Sequence, residues 1–120
     1  MNEIKLGVVE TQFAEIVWEH APLTTRELVK HCHEKLNWAR TTTYTVLRKL
    51  GEKGIFELVN GTVFVRIKRD AFYAIQSEQF VEDAFDGSLP AFVAAFTSRK
   101  KPSKKELAEI KALLDAFEEG

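Results

Sequence analysis

Cysteine occurs once in the 120 residues, as Cys32, so no internal disulfide can form. A lone thiol suits a reducing cytoplasm. No run of about 18 apolar residues exists, so no membrane span is expected. The first residues lack a basic region followed by an apolar stretch, so no signal peptide is read there, and a cytoplasmic location is expected. There is no Ser/His/Asp set, no metal-ligand spacing and no glycine loop to cradle phosphate. An enzyme is therefore not expected, and neither is a metal or a cofactor. His31, Cys32 and His33 are consecutive, but neighbours on a helix point about 100° apart and cannot converge on one ion. Cys32 reads as a small core residue, and His20, His31 and His33 as surface or packing residues. No repeat or low-complexity segment appears, and the length suits one domain or a small domain with an appendage.

Charge of one sign is also missing from the total, since the net is −1. Its distribution is uneven. From Arg26 to Arg69 there are ten Lys/Arg against four Glu, a net of +6, and the remainder carries seven Lys/Arg against fourteen Asp/Glu, a net of −7. Distribution matters more than total when the partner is a polyanion.

The positive segment contains the stretch around which the chain is organised. Asn37-Trp38 reads as a turn, and the residues after it, to Lys53, as a helix with two faces. Thr43, Val46, Leu47 and Leu50 recur at helical spacing and would face a core. Arg40, Thr41, Tyr44, Thr45, Arg48 and Lys49 would point outward, with no carboxylate until Glu52. Arginine can pair with guanine edges, threonine methyls can touch thymine methyls, and lysine can neutralise phosphate. A merely solvated face usually mixes both signs. The pattern reads as a recognition helix for the DNA major groove.

Two β-prone runs follow, residues 55–59 and 62–67, joined by Asn60-Gly61, the strongest short signal for a tight hairpin. Helix, then hairpin, is the order of a winged helix-turn-helix. Upstream, a helix over Val8 to His20 carries Val9, Phe13, Ile16 and Val17 as its apolar stripe and stops at Ala21-Pro22. Thr24 to Glu27 has capping-box spacing and opens a second helix to about Leu36, with Leu28, Val29, Cys32 and Leu36 inward. Downstream, Asp70 is a candidate N-cap for a helix to about Phe85, and Asp86-Gly87-Ser88 is a stop. A helix over about residues 90–97 has the stripe Leu89, Phe92, Val93 and Phe96. Ser103 to Glu106 repeats the capping-box spacing before a last helix with Leu107, Ile110, Leu113, Leu114 and Phe117.

The expected fold is mostly α with a small β-hairpin wing: a winged helix over residues 1–70, then a helical dimerisation region over 71–120. A winged-helix core of about 65 residues cannot bury every apolar face downstream of it, and a second copy of the chain would. Phe80, Phe85, Leu89, Phe92, Val93, Phe96, Leu107, Ile110 and Leu114 are the candidate dimer residues. The competing function is a protein-interaction module that reuses the winged helix, with the tail as its partner surface. The sign of the exposed helix face favours double-stranded DNA.

The order Leu6, Trp18-Glu19, Pro22-Leu23-Thr24, Glu27, Trp38, Thr42, Leu47, Leu50, Lys53-Gly54, with Phe85 to Ser88 and the Leu-rich tail, resembles the penicillinase-repressor family over nearly the whole chain. The resemblance implies a homodimeric repressor on a roughly palindromic operator. By position it implies that Arg40, Thr41, Thr42, Tyr44, Thr45, Arg48 and Lys49 face DNA. Asn60, Arg66 and Lys68 would approach phosphate or the minor groove. In the penicillinase branch a membrane sensor's signal leads to a cut in the dimerisation region, which implies a signal-dependent protease as partner and Ala95-Phe96 as the matching position. The family pattern there is Asn-Phe, so Ala95 departs from it. The copper branch carries a Cys-x-Cys pattern near its end, and this chain has no cysteine after Cys32. Ala39 stands where the family has serine at the recognition-helix N-cap, and a missing cap costs about 1 kcal/mol.

Overall fold

The structure, a computed structural model, describes residues 4–119. In chain order the elements are α1 (Val8–His20), β1 (Leu23–Thr24), α2 (Thr25–Leu36), α3 (Arg40–Glu52), β2 (Phe56–Val59), β3 (Thr62–Val65), α4 (Arg69–Phe85), α5 (Leu89–Arg99) and α6 (Lys104–Glu119). This is a winged helix followed by helices. Contacts divide the chain into two compact units, one ending at Gln79 and one beginning at Phe80. No described helix is long and apolar enough to cross a membrane.

In the first unit, local chemistry sets the helix ends. Glu10 reaches back to the Gly7 amide at 3.1 Å and closes the start of α1. At α2 the capping box is complete: the Glu27 amide donates to Thr24 Oγ1 at 3.1 Å, and the Thr24 amide donates to Glu27 Oε1 at 3.0 Å. Asn37 ends α2 in the left-handed region, at φ 56°. Asn60 and Gly61, at φ 49° and 76°, make the tight turn that the twist of the β2–β3 hairpin demands.

The sheet has three strands, in the order β1-β3-β2, all antiparallel. The hairpin is legible in the sequence. The two residues of β1 are not, because so short a strand shows no period and exists only through pairing with β3, Leu23 opposite Val63 and Thr24 opposite Thr62.

Phe13, Val17, Leu28, Leu50, Ile55, Phe56, Val63 and Phe72 fill one continuous core. Phe13 stacks on Trp38 with ring centroids 5.7 Å apart, and Trp18 touches Phe56 and Phe72 while its Nε1 donates to the Ile67 carbonyl at 3.0 Å. Cys32 is fully buried, and burial pushes its thiol above the ordinary value although the Thr43 hydroxyl touches it.

Three expectations are corrected. Val9 is 54% exposed, because it lies in the first turn of α1 beyond the edge of the core, and Ala14 is buried instead. Val29 and Leu36 are half-buried rather than fully inward. Helix α4 begins at Arg69, with the Phe72 amide donating to the Lys68 carbonyl at 2.9 Å. Asp70 is thus in the first turn, where a negative charge suits the helix dipole, and is not the N-cap. Arg69 and Tyr73 both grip Glu15 of α1, at 2.8 and 2.9 Å.

The second unit has no comparable interior. Asp86 and Gly87, at φ 50° and 79°, break the chain from α4. Ser88 Oγ caps α5 by accepting from the Ala91 amide at 3.1 Å. Ser103 and Glu106 form a second reciprocal cap at α6, at 3.0 and 3.1 Å. Neither α5 nor α6 buries a single residue. Phe80, Phe85, Phe92 and Phe96 form a ladder of ring contacts 5.7 to 6.2 Å between centroids.

Candidate nucleic-acid interface

Helix α3 is anchored by one face and free on the other. Thr43, Leu47 and Leu50 are buried, and Val46 is half-buried beside them. Arg40, Thr41, Thr42, Thr45, Arg48 and Lys49 are exposed, and Tyr44 is half-buried. Residues 40, 41, 44, 45 and 48 share one side of the helix by their spacing, with Thr42 and Lys49 flanking it. Thr45, exposed on this side, donates its hydroxyl to the Thr41 carbonyl at 2.9 Å, which satisfies its proton within the helix. Ala39 supplies no side-chain cap, so the first amides of α3 have no side-chain acceptor from that position.

The cations on this surface are not equivalent. Lys49 Nζ lies 3.4 Å from Glu10 Oε2, where the carboxylate is largely covered. The Gly7 amide first, and the Lys53 and Lys49 charges after it, hold the Glu10 carboxyl below its ordinary value. Arg66 on the wing donates to Glu57 at 2.5 Å, and Lys68 is exposed just before α4. Asn60 is exposed at the wing tip. Among the described residues, Arg48 is in no ion pair. It lines a cleft between α3 and the wing together with Tyr44, Leu47, Phe56 and Leu58.

Residue-type reasoning passed over Thr25 and Arg26. Both are on the first turn of α2, and with Val29, Arg40 and Tyr44 they line a second cleft. The Thr25 hydroxyl first, then the Arg40 guanidinium, holds the Tyr44 phenol below its ordinary value. The position of Arg26 beside the capping threonine was the available signal. The Glu10–Lys49 pair, which joins elements far apart in sequence, had none.

The adjacent His31, Cys32 and His33 do not converge: Cys32 is in the core, and His31 stacks on His20 with ring centroids 3.9 Å apart. In the second unit, Leu89, Val93, Phe96, Leu107, Ile110 and Leu114 are 43% to 57% exposed. Ala95 and Phe96 are both exposed within the continuous helix α5.

Helices α1 to α3 with a hairpin following α3 define a winged-helix protein, and the outward face of α3, with no carboxylate of its own before Glu52, gives it the surface of a DNA-binding regulator. The sequence profile of the penicillinase repressor family matches residues 6–116. A penicillinase repressor of Bacillus licheniformis is 26% identical over 115 residues, covering 92% of this chain and 90% of that protein. The chain belongs to the penicillinase repressor family, a class of transcriptional repressors and not of enzymes.

Proposed function

We propose that the chain is a homodimer that represses transcription by binding a roughly palindromic operator, with α3 of each copy in the major groove of one half-site. One observation carries this reading: the outward face of α3 offers cations and hydroxyls with no carboxylate until Glu52, next to a protruding hairpin. Arg48 pairs with base edges, and the methyls of Thr41, Thr42 and Thr45 meet thymine methyls. Lys49, Asn60, Arg66 and Lys68 contribute backbone contacts, which add affinity without reading sequence. Lys49 and Arg66 must exchange their carboxylate partners for phosphate to do so.

The dimer half rests on the second unit. A helical segment of about 40 residues rarely holds itself together without oligomerisation, disulfides or metal. Each covered Phe or Leu of the set Phe80, Phe85, Leu89, Phe92, Val93, Phe96, Leu107, Ile110 and Leu114 is worth roughly 1.5–3 kcal/mol. Two tied copies then engage half-sites spaced by about 34–36 Å or multiples of it. Any signal that parts the tails, a cut at Ala95–Phe96 among them, lowers operator affinity by removing the second half-site.

The test is a gel shift of the purified protein on DNA upstream of its own gene, with unrelated DNA as competitor. A discrete shift that survives competitor, and falls steeply as salt rises because phosphate contacts release counterions, is the expected result. A folded dimer that shifts neither this DNA nor a genomic fragment library would overturn the reading in favour of a protein-interaction module.

A further inference from the structure

We infer that Thr25, Arg26, Arg40 and Tyr44 form a clamp for one backbone phosphate of the duplex, built from α2 as much as from α3. The inference rests on the DNA-binding reading above and assigns Arg40 and Tyr44 to the backbone rather than to base edges.

The cleft between the first turns of α2 and α3 holds about 270 Å³ and is lined by Thr25, Arg26, Val29, Arg40 and Tyr44. Organic ligands usually occupy sites of about 300–1,000 Å³, so a small group projecting from a larger partner fits better. The lining contains two guanidinium groups, a hydroxyl and a phenol, and no carboxylate. Every polar side chain there can donate a proton to an anion. Guanidinium forks match the oxygens of phosphate, and their bonds to an anion are of the strong, charge-assisted kind.

The groups are also held in place. The Arg40 guanidinium lies over the Tyr44 ring, 5.5 Å from its centroid. Thr25 and Arg40 are also the groups that lower the Tyr44 phenol below its ordinary value, in keeping with the three side chains lining one cleft from two helices. The Thr25 amide donates to the Gly61 carbonyl at 3.0 Å, which ties this edge of the cleft to the wing turn. Arg40 is therefore oriented by the Tyr44 ring toward this cleft, whereas Arg48 lines the cleft beside the wing. Among the described residues, neither Arg26 nor Arg40 is in an ion pair, so both charges are available.

The test measures full-length wild type, Arg26→Ala and Arg26→Lys by fluorescence anisotropy, on operator and on an unrelated duplex, across a salt series. Arg26 is exposed, and circular dichroism checks that each variant folds. Arg26→Ala is expected to lose about tenfold on both duplexes, with the operator preference unchanged and the salt slope shallower by about one. Arg26→Lys is expected to restore the slope while recovering only part of the affinity, since the fork is lost. Ethylation interference is expected to show one phosphate per half-site that matters to wild type and is silent in Arg26→Ala. Unchanged affinity and slope in Arg26→Ala, or a loss confined to the operator, would overturn the clamp while the repressor reading stands. Wild-type protein that binds neither duplex overturns both.

Discussion

The two units of this chain use the same material, amphipathic helices with reciprocal caps, and reach opposite states. The first unit encloses Phe13, Leu28, Leu50, Phe56 and Phe72 almost completely. In the second, α5 and α6 bury nothing, and Leu113 and Phe117 are 63% and 82% exposed. The first has what closure needs: three helices, the start of a fourth and a small sheet, so that apolar faces meet from several directions. The second has the end of one helix and two more, each with an apolar face that the others leave open. Stability in the first unit is intrinsic to one chain. In the second, on the dimer reading, it depends on protein concentration.

The strongest way to break this comparison is to remove a large side chain from each unit. Phe13→Ala is expected to cost about 3–5 kcal/mol in urea denaturation, because it empties the site between Trp38 and Phe56. Phe117→Ala, measured where the chain is monomeric, is expected to leave stability unchanged. Equal costs would mean that the tail has a core of its own.

A charge placed in the tail tests the other side. Phe96→Asp is expected to weaken self-association by about 2 kcal/mol or more, read by analytical ultracentrifugation, with the winged helix still folded. A dimer of wild-type strength would assign the α5 face to the inside of one subunit. Arg48→Ala is expected to reduce operator affinity by about 1–3 kcal/mol without altering association or thermal stability. Equal affinity for operator in both proteins removes Arg48 from the reading set.

The smallest effect should act on both units alike. Glu10, Glu27 and Glu106 each have a carboxyl held below its ordinary value, near 4.5, chiefly by the backbone amides of Gly7, Thr24 and Ser103. Depressed carboxyls add stability that is fully present above that ordinary value and fades as pH falls through the folded one. Acidification below about pH 4.5 is expected to fray the starts of α1, α2 and α6, seen as faster amide exchange in their first turns. Fraying at α6 alone would show that α1 and α2 are held by packing rather than by their caps.

Much of the first unit was legible because its cues are local. Thr24 and Glu27, Asn60-Gly61 and the Leu47–Leu50 spacing each act within a few residues, and each gives the element expected of it. What escaped depends on partners distant in the chain. The strand β1 needs β3, Glu10 needs Lys49, and Arg26 gains meaning only beside Arg40 and Tyr44. Val9 has the right spacing for the α1 stripe and still emerges exposed, since periodicity names a face but not where the core ends.

The burial of Cys32 at the back of α3 gives the protein a clock. It is the sole thiol, it is fully enclosed, and its raised pKa keeps it protonated and inert while the first unit is closed. A thiol reagent can therefore label the chain only during excursions in which α2 and α3 part, and the labelling rate counts those excursions. No substitution is needed to install this reporter, and it does not sense openings confined to the tail. The same enclosure shields the thiol from oxidants for as long as α2 and α3 stay docked.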